Sequence, residues 1–140
     1  MSKQKTIAAV WGIGSFGYGL FGIFLRGYTH WGMLLTGGIC FRFIYALNCT
    51  MRKTTLLKKC FFSSCIITGC EFVAGCLFNK ALHLNVWDYS DRIGNLWGQI
   101  CPLYSSLWFI LCFPLVFLCN ILRSHCIEIP KQKLCGKTKQ

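Results

Sequence analysis

The chain has 140 residues and a formal net charge of +11, yet it is 54% hydrophobic and only 14% charged. A soluble domain of this size needs more polar surface than that, so the composition excludes an ordinary globular fold and makes a bilayer the natural solvent. Nucleic acid is not the expected partner of the positive charge, because the basic residues sit in short clusters between apolar runs instead of on one aromatic-studded face.

The first apolar run, Ile7 to Leu25, holds no charged residue and matches the roughly 20 residues needed to cross a hydrocarbon core about 30 Å thick. It exceeds the core of a secretory signal, and Gly27-Tyr28-Thr29 is no cleavage site, so it is expected to be retained. Three more segments follow, at residues 31–51, 60–78 and 100–122, separated by a short turn, a basic turn and a loop over 79–99. The expected fold class is therefore all-α: one polytopic membrane domain of four transmembrane helices, closed by a basic tail at 123–140. A barrel would need alternating ten-residue strands, which the chain lacks.

The distribution of cations predicts orientation. Lys3 and Lys5, the turn with Arg52, Lys53, Lys58 and Lys59, and the tail with Arg123, Lys131, Lys133, Lys137 and Lys139 share one side. Arg26, Lys80 and Arg92 lie on the other, and Arg42 falls within a segment. By the positive-inside rule both termini are expected in the cytoplasm. Tyr28, Trp31, Trp87, Tyr89 and Trp97 form the aromatic belt expected at the outer interface.

Within the first segment, Gly12-Ile13-Gly14-Ser15-Phe16-Gly17 has the form of a dinucleotide fingerprint but lacks the flanking strand and acid. Gly12, Ser15, Gly19 and Gly22 recur instead at helical spacing and make a small-residue face for close helix packing, a docking surface for another chain. Gly136-Lys137-Thr138 looks like the end of a phosphate loop without its first glycine or its helix, so no nucleotide is expected there. Eleven cysteines contain no C-x-x-C pair, and most lie in apolar runs, where a thiol acts as a small hydrophobe. Metals and cofactors are not expected, and Cys76 with Cys101 is the candidate disulfide near the outer interface.

Two charges fall inside apolar segments, Arg42 and Glu71, and a charge at that depth normally faces the bundle interior and has a partner. Counted from the intervening turn their depths differ by about 3 Å, which predicts an ion pair across a helical hairpin, either structural or lining a path. Gly37-Gly38 is expected to loosen the second helix beside it. The outer loop concentrates polar residues: Asp88, Asp91 and His83 could hold a hard cation, but turn formation and capping fit their spacing better. Pro102 suits a first helical turn, and Pro114 is expected to free a carbonyl in the last helix.

Glu71-Phe72-x-x-Gly75-x-x-x-Asn79, Val86-Trp87-Asp88-Tyr89-Ser90, Asn95, Gly98-Gln99-Ile100-Cys101 and Trp108, together with Trp31 to Gly38, resemble the bacterial family of ABC-transporter type IV permeases. The resemblance covers roughly residues 28 to 122. It implies a site between the third helix, the outer loop and the last helix, shaped by Glu71, Asn79, Trp87, Asp88, Tyr89, Asn95 and Gln99. Tyr18 is followed by Gly19 where many relatives pair a tyrosine with an acid, which departs from a two-acid proton relay. The expectation is a non-enzymatic, permease-like subunit of the bacterial cell membrane, working as a homo-oligomer or with other membrane subunits, any ATPase being a separate chain. The alternative is a non-transporting scaffold or sensor whose outer loop binds a protein or lipid headgroup.

Overall fold

A computed structural model describes residues 2–135, with side chains through residue 125. Four helices are long and apolar enough to cross a membrane: α1 (Lys3–Arg26), α2 (Trp31–Thr50), α3 (Leu56–Gly75) and α4 (Pro102–Cys135). A π-helical turn, Cys76–Ala81, prolongs α3. Among the described residues the only β pairing is an isolated bridge between Leu96 and Ile100. The basic tail beyond residue 125, with its lysines and Gly136-Lys137-Thr138, lies outside the described side chains.

Local chemistry sets the helix ends. The Ser2 hydroxyl accepts from the Lys5 N–H and starts α1, as an N-cap oxygen satisfies a donor that the helix cannot. Gly27 ends it in the left-handed region (φ 77°) while its N–H reaches the Ile23 carbonyl, a conformation that glycine adopts without Cβ strain. His30 then caps α2 through Nδ1, which accepts from the Gly32 N–H. This four-residue turn, Gly27 to His30, brings α1 and α2 together as an antiparallel hairpin.

The hairpin closes on small residues. A side chain added at Gly14 would meet the Phe41 Cβ at 2.6 Å, and one at Gly22 would meet the Met33 Cε at 2.9 Å. Helices approach this closely in lipid through small residues because dispersion and not water exclusion drives their association. The core continues through Val10, Met33, Phe41, Ile44, Cys60, Ile67, Trp108, Cys112 and Val116, all buried. The outward surface is apolar as well: Phe16, Phe24, Phe43, Leu57, Phe61, Val73, Ile110 and Phe117 are exposed, far more than a water-soluble monomer tolerates.

Alternating helix directions give the bundle two unlike ends. The turn end holds the start of α1 and the basic α2–α3 turn. The loop end holds the α1–α2 turn, the π turn and the loop that leads into α4.

Several expectations need correction. Of the glycine stripe, Gly19 and Gly22 press against Leu34 and Met33 of the same chain and Ser15 faces Gly38, while Gly12 has nothing within 4 Å of where a side chain would begin. Most of that surface is therefore spent inside the monomer. Cys76 and Cys101 are both free thiols. The α4 helix runs unbroken through Pro114, so the expected freed carbonyl, that of Ile110 one turn back, arises without a break because proline has no N–H to give it.

Candidate functional site

The buried acid lies where α1, α3 and α4 meet. Glu71 is 1% exposed and both of its carboxyl oxygens are taken. The Tyr18 hydroxyl donates to Oε1 at 2.5 Å and the Trp108 indole N–H donates to Oε2 at 2.9 Å. Tyr18 and Trp108 also stack on each other, with centroids 5.5 Å apart, so each ring fixes the other's angle toward the carboxyl. Burying a carboxyl without such donors costs several kcal/mol, roughly the gap that charge-assisted bonds to two aromatic donors offset.

The predicted Arg42–Glu71 pair is not formed. Among the described residues the ion pair within 4.0 Å is between the neighbours Asp91 and Arg92, at 3.8 Å. Depth alone suggested the pairing, but azimuth decides it. Arg42 follows Phe41, which lies on the buried stripe of α2, and one residue turns the side chain by about 100°. Arg42 ends half-buried on another side of α2, while Glu71 turns toward α1 and α4.

A second cation, Arg26, is the one engaged near the site. At the end of α1 its guanidinium carbon lies 5.9 Å from the Trp87 ring centre, 5.3 Å from Tyr89 and 5.5 Å from Tyr104, and Nη2 donates to the Tyr89 hydroxyl. Tyr89 and Tyr104 stack at 4.5 Å. Cation–π contacts of this kind strengthen when desolvated, so Arg26 rivets the end of α1 to the loop and to α4. Burial first, and then the negative charge of Glu71, push the Tyr89 hydroxyl above its usual range, while Arg26 pulls it down.

The loop is organised by two amide side chains. Asn79, placed by the π turn, donates from Nδ2 to the Trp87 carbonyl and to Gln99 Oε1, both at 2.8 Å, and accepts from the Val86 N–H at 2.6 Å. Gln99 is 4% exposed. It donates to the Trp97 carbonyl, and its own carbonyl accepts from the Trp87 indole at 3.1 Å. Gly75 leaves the room that Gln99 fills, since a Cβ there would come within 3.0 Å of the Gln99 Cβ. The π turn thus shifts Asn79 into register with the loop, the kind of positioning for which such turns are retained.

Asp88 and Asn95 hold the loop's tip. Asp88 Oδ1 accepts from the Ser90 N–H at 2.9 Å and from its hydroxyl at 2.5 Å, bonds that hold the exposed carboxyl below the usual carboxylate range. Asn95 donates to the Ser90 and Arg92 carbonyls and accepts from the Gly98 N–H. Both side chains make turns. No group of three or more metal-ligating side chains occurs among the described residues, and His83 and Asp91 do not join Asp88.

Among the residues carried over from the resemblance, Asn79, Trp87 and Gln99 form one bonded cluster, Tyr89 joins Arg26, and Glu71 stands at mid-helix with Tyr18 and Trp108. Sequence reasoning missed Tyr18, Arg26, Tyr104 and, beyond its place in the resemblance, Trp108 as members. A signal existed for Tyr18: a lone tyrosine amid glycines, four residues from Gly14 and from Gly22, lies on the packed stripe and needs a hydroxyl partner.

Tyr18 and Trp108 also wall one side of an apolar cleft of about 290 Å³ between α1, α2 and α4, with Gly14, Gly17, Phe41 and Pro114 among its lining. Fold and site together define a polytopic four-helix membrane protein built around a sealed intramembrane carboxyl and a latched loop. A family model described as "Putative ABC-transporter type IV" matches residues 10–136, and the chain belongs to that family. Comparison with curated proteins and with solved structures gives no match.

Proposed function

We propose that this chain is a permease-like membrane subunit of a transport system, acting as an oligomer or with partner chains, its termini cytoplasmic and its loop outside. The membership of residues 10–136 in an ABC-transporter-type family supports the transport role. The observation that carries the assembly is the sealed carboxyl: with Glu71 1% exposed and both oxygens bonded inside the chain, the one helical acid among the described side chains is spent on holding α1, α3 and α4. A polar solute would therefore cross between chains and not through this bundle. Energy from nucleotide hydrolysis would come from a separate chain, and no catalysis is assigned to this one.

Native mass spectrometry of the chain extracted with its own lipids tests this reading. Multiples of the 16.0 kDa chain, or a complex with a nucleotide-hydrolysing subunit, are expected; a monomer at every concentration rejects it. The same sealed carboxyl favours a second reading, a non-transporting scaffold or sensor. The two separate in a transport assay on a folded Glu71→Gln variant. Retained Tm with lost transport favours the permease, whereas retained Tm with unchanged activity favours the scaffold.

A further inference from the structure

At the turn end, a cleft of about 370 Å³ lies between the start of α3 and the middle of α4, with Thr54, Lys59, Phe113, Val116, Phe117 and Asn120 among its lining. Lys59 is only 6% exposed and has no ion-pair partner within 4.0 Å among the described residues. Asn120 Oδ1 is buried without a hydrogen-bond partner, as is the hydroxyl oxygen of Ser63 one turn along α3 from Lys59. A buried acceptor without a donor is costly, and Lys59, largely covered and without an ion-pair partner among the described residues, offers a cation beside it. The two are expected together where a ligand supplies the missing anion and donor.

We propose that this cleft binds a membrane lipid whose headgroup carries an anionic phosphate and a hydroxyl donor, that is, a phosphoglycerol lipid. Lys59 supplies the charge for the phosphate. Asn120 Oδ1 accepts from the headgroup hydroxyl, a bond that a headgroup ending in a quaternary amine does not offer and that one ending at its phosphate does not offer once fully ionised, the pH at which the phosphatidic acid arm below is run. The apolar side of the cleft argues for a lipid over a soluble phosphoester: Phe113 and Val116 line it, and Phe117 at 67% exposure continues it along the outer surface of α4, giving a hydrocarbon chain a wall to follow. Arg52, Lys53 and Lys58, all exposed in the α2–α3 turn and the first turn of α3, raise the local concentration of anionic headgroups, each basic residue near a membrane surface being worth about fivefold in binding.

The test uses the full chain in phosphatidylcholine micelles doped with phosphatidylglycerol or with phosphatidic acid, with bound lipid counted by native mass spectrometry. Wild type is expected to retain phosphatidylglycerol over phosphatidylcholine by fivefold or more. Lys59→Met, which keeps the apolar stem, should abolish that preference; Lys59→Arg should restore it, and the exposed control Lys58→Met should keep it. Asn120→Leu should keep the preference for anionic lipid but lose discrimination between phosphatidylglycerol and phosphatidic acid. Should Lys59→Met fail to fold, Lys59→Arg and Asn120→Leu still carry the test. Equal losses in the Lys58 and Lys59 variants, no preference in wild type, or unchanged headgroup discrimination in Asn120→Leu would overturn the proposal. So would displacement of the lipid by free glycerol phosphate, which assigns the cleft to a soluble phosphoester.

Discussion

The two ends of the bundle treat buried polar groups in opposite ways. At the loop end, Asn79, Gln99, Trp87 and Tyr89 spend their donors and acceptors on one another and on the loop backbone, and Glu71 below them is bonded at both oxygens. At the turn end, oxygens of Asn48, Ser63 and Asn120 are buried without partners, although Arg123 donates to the Asn48 carbonyl. A buried polar group costs free energy unless it is paired. The loop end therefore pairs its buried polar groups within the chain, and the turn end leaves three buried oxygens unpaired among the described residues. Deletion of polar groups should be expensive at one end and cheap at the other.

The largest effect is expected at Glu71. Glu71→Leu leaves the Tyr18 hydroxyl and the Trp108 N–H without acceptors and should cost about 2–4 kcal/mol, at about 1–3 for each orphaned donor with partial relaxation. Glu71→Gln keeps an acceptor and should cost less. Arg42→Met tests whether the two charges are coupled. The double variant Arg42→Met with Glu71→Leu should be additive within about 0.5 kcal/mol, measured by unfolding in mixed micelles. A coupling above about 1 kcal/mol would restore the direct pair that the geometry denies.

Next comes the latch. Asn79→Ala removes three hydrogen bonds at once, about 1 kcal/mol each at most and about 2 in sum after relaxation. Because those bonds tie the π turn to the loop, the loss should be local. Hydrogen exchange at the Val86 amide should rise steeply while the amides of the α1–α2 hairpin stay protected. Uniform loss of protection would mean that the loop is an integral part of the bundle's folding unit.

Arg26→Met should cost about 1 kcal/mol, since three cation–π contacts share one guanidinium and partly overlap in energy. It also removes the cation that holds the Tyr89 hydroxyl down, so Tyr89 should titrate still higher, seen as a later rise of tyrosinate absorbance with pH.

These expectations differ in how readable they were. Four apolar helices and the isolation of Glu71 among apolar residues followed from hydropathy, because crossing a bilayer imposes length and apolarity on each segment separately. The loop's polar residues were visible as a cluster, and turn formation at Asp88 was read from spacing alone. The partner of Glu71 was not readable. Sequence distance from a turn gives height along a helix, but the direction a side chain faces depends on which helices pack, and α3 packs its acid toward α1 and α4 instead of toward its hairpin neighbour. Arg26 was hidden for a similar reason: by position it is one cation on the sparse side, and only the fold surrounds it with rings 61 to 78 residues downstream. The unpaired oxygens of the turn end were equally silent, since an unpartnered amide looks the same in sequence as a bonded one.

Ser63→Ala is the converse of the latch experiment. Its hydroxyl is fully buried without a partner, so removing it should be neutral or stabilise by up to about 1 kcal/mol. A loss above about 1 kcal/mol, measured after stripping bound lipid, would show that the turn end is satisfied within the monomer and would erase the contrast between the ends.

The smallest effect belongs to Asp88 and concerns pH. The hydroxyl and N–H of Ser90 hold its carboxyl below the usual carboxylate range, so its folded value lies under its unfolded value of about 3.9. The stabilisation is therefore fully present above about pH 4 and is lost as pH falls through the folded value. The side chain is exposed and solvent screens it, so the contribution should be a few tenths of a kcal/mol. Asp88→Asn should flatten a small acid limb in protection of the Ser90 amide while leaving neutral-pH stability almost unchanged. A large neutral-pH loss would instead place Asp88 among the groups that carry the loop, alongside Asn79 and Gln99, and would mean that the tip and the latch unfold together.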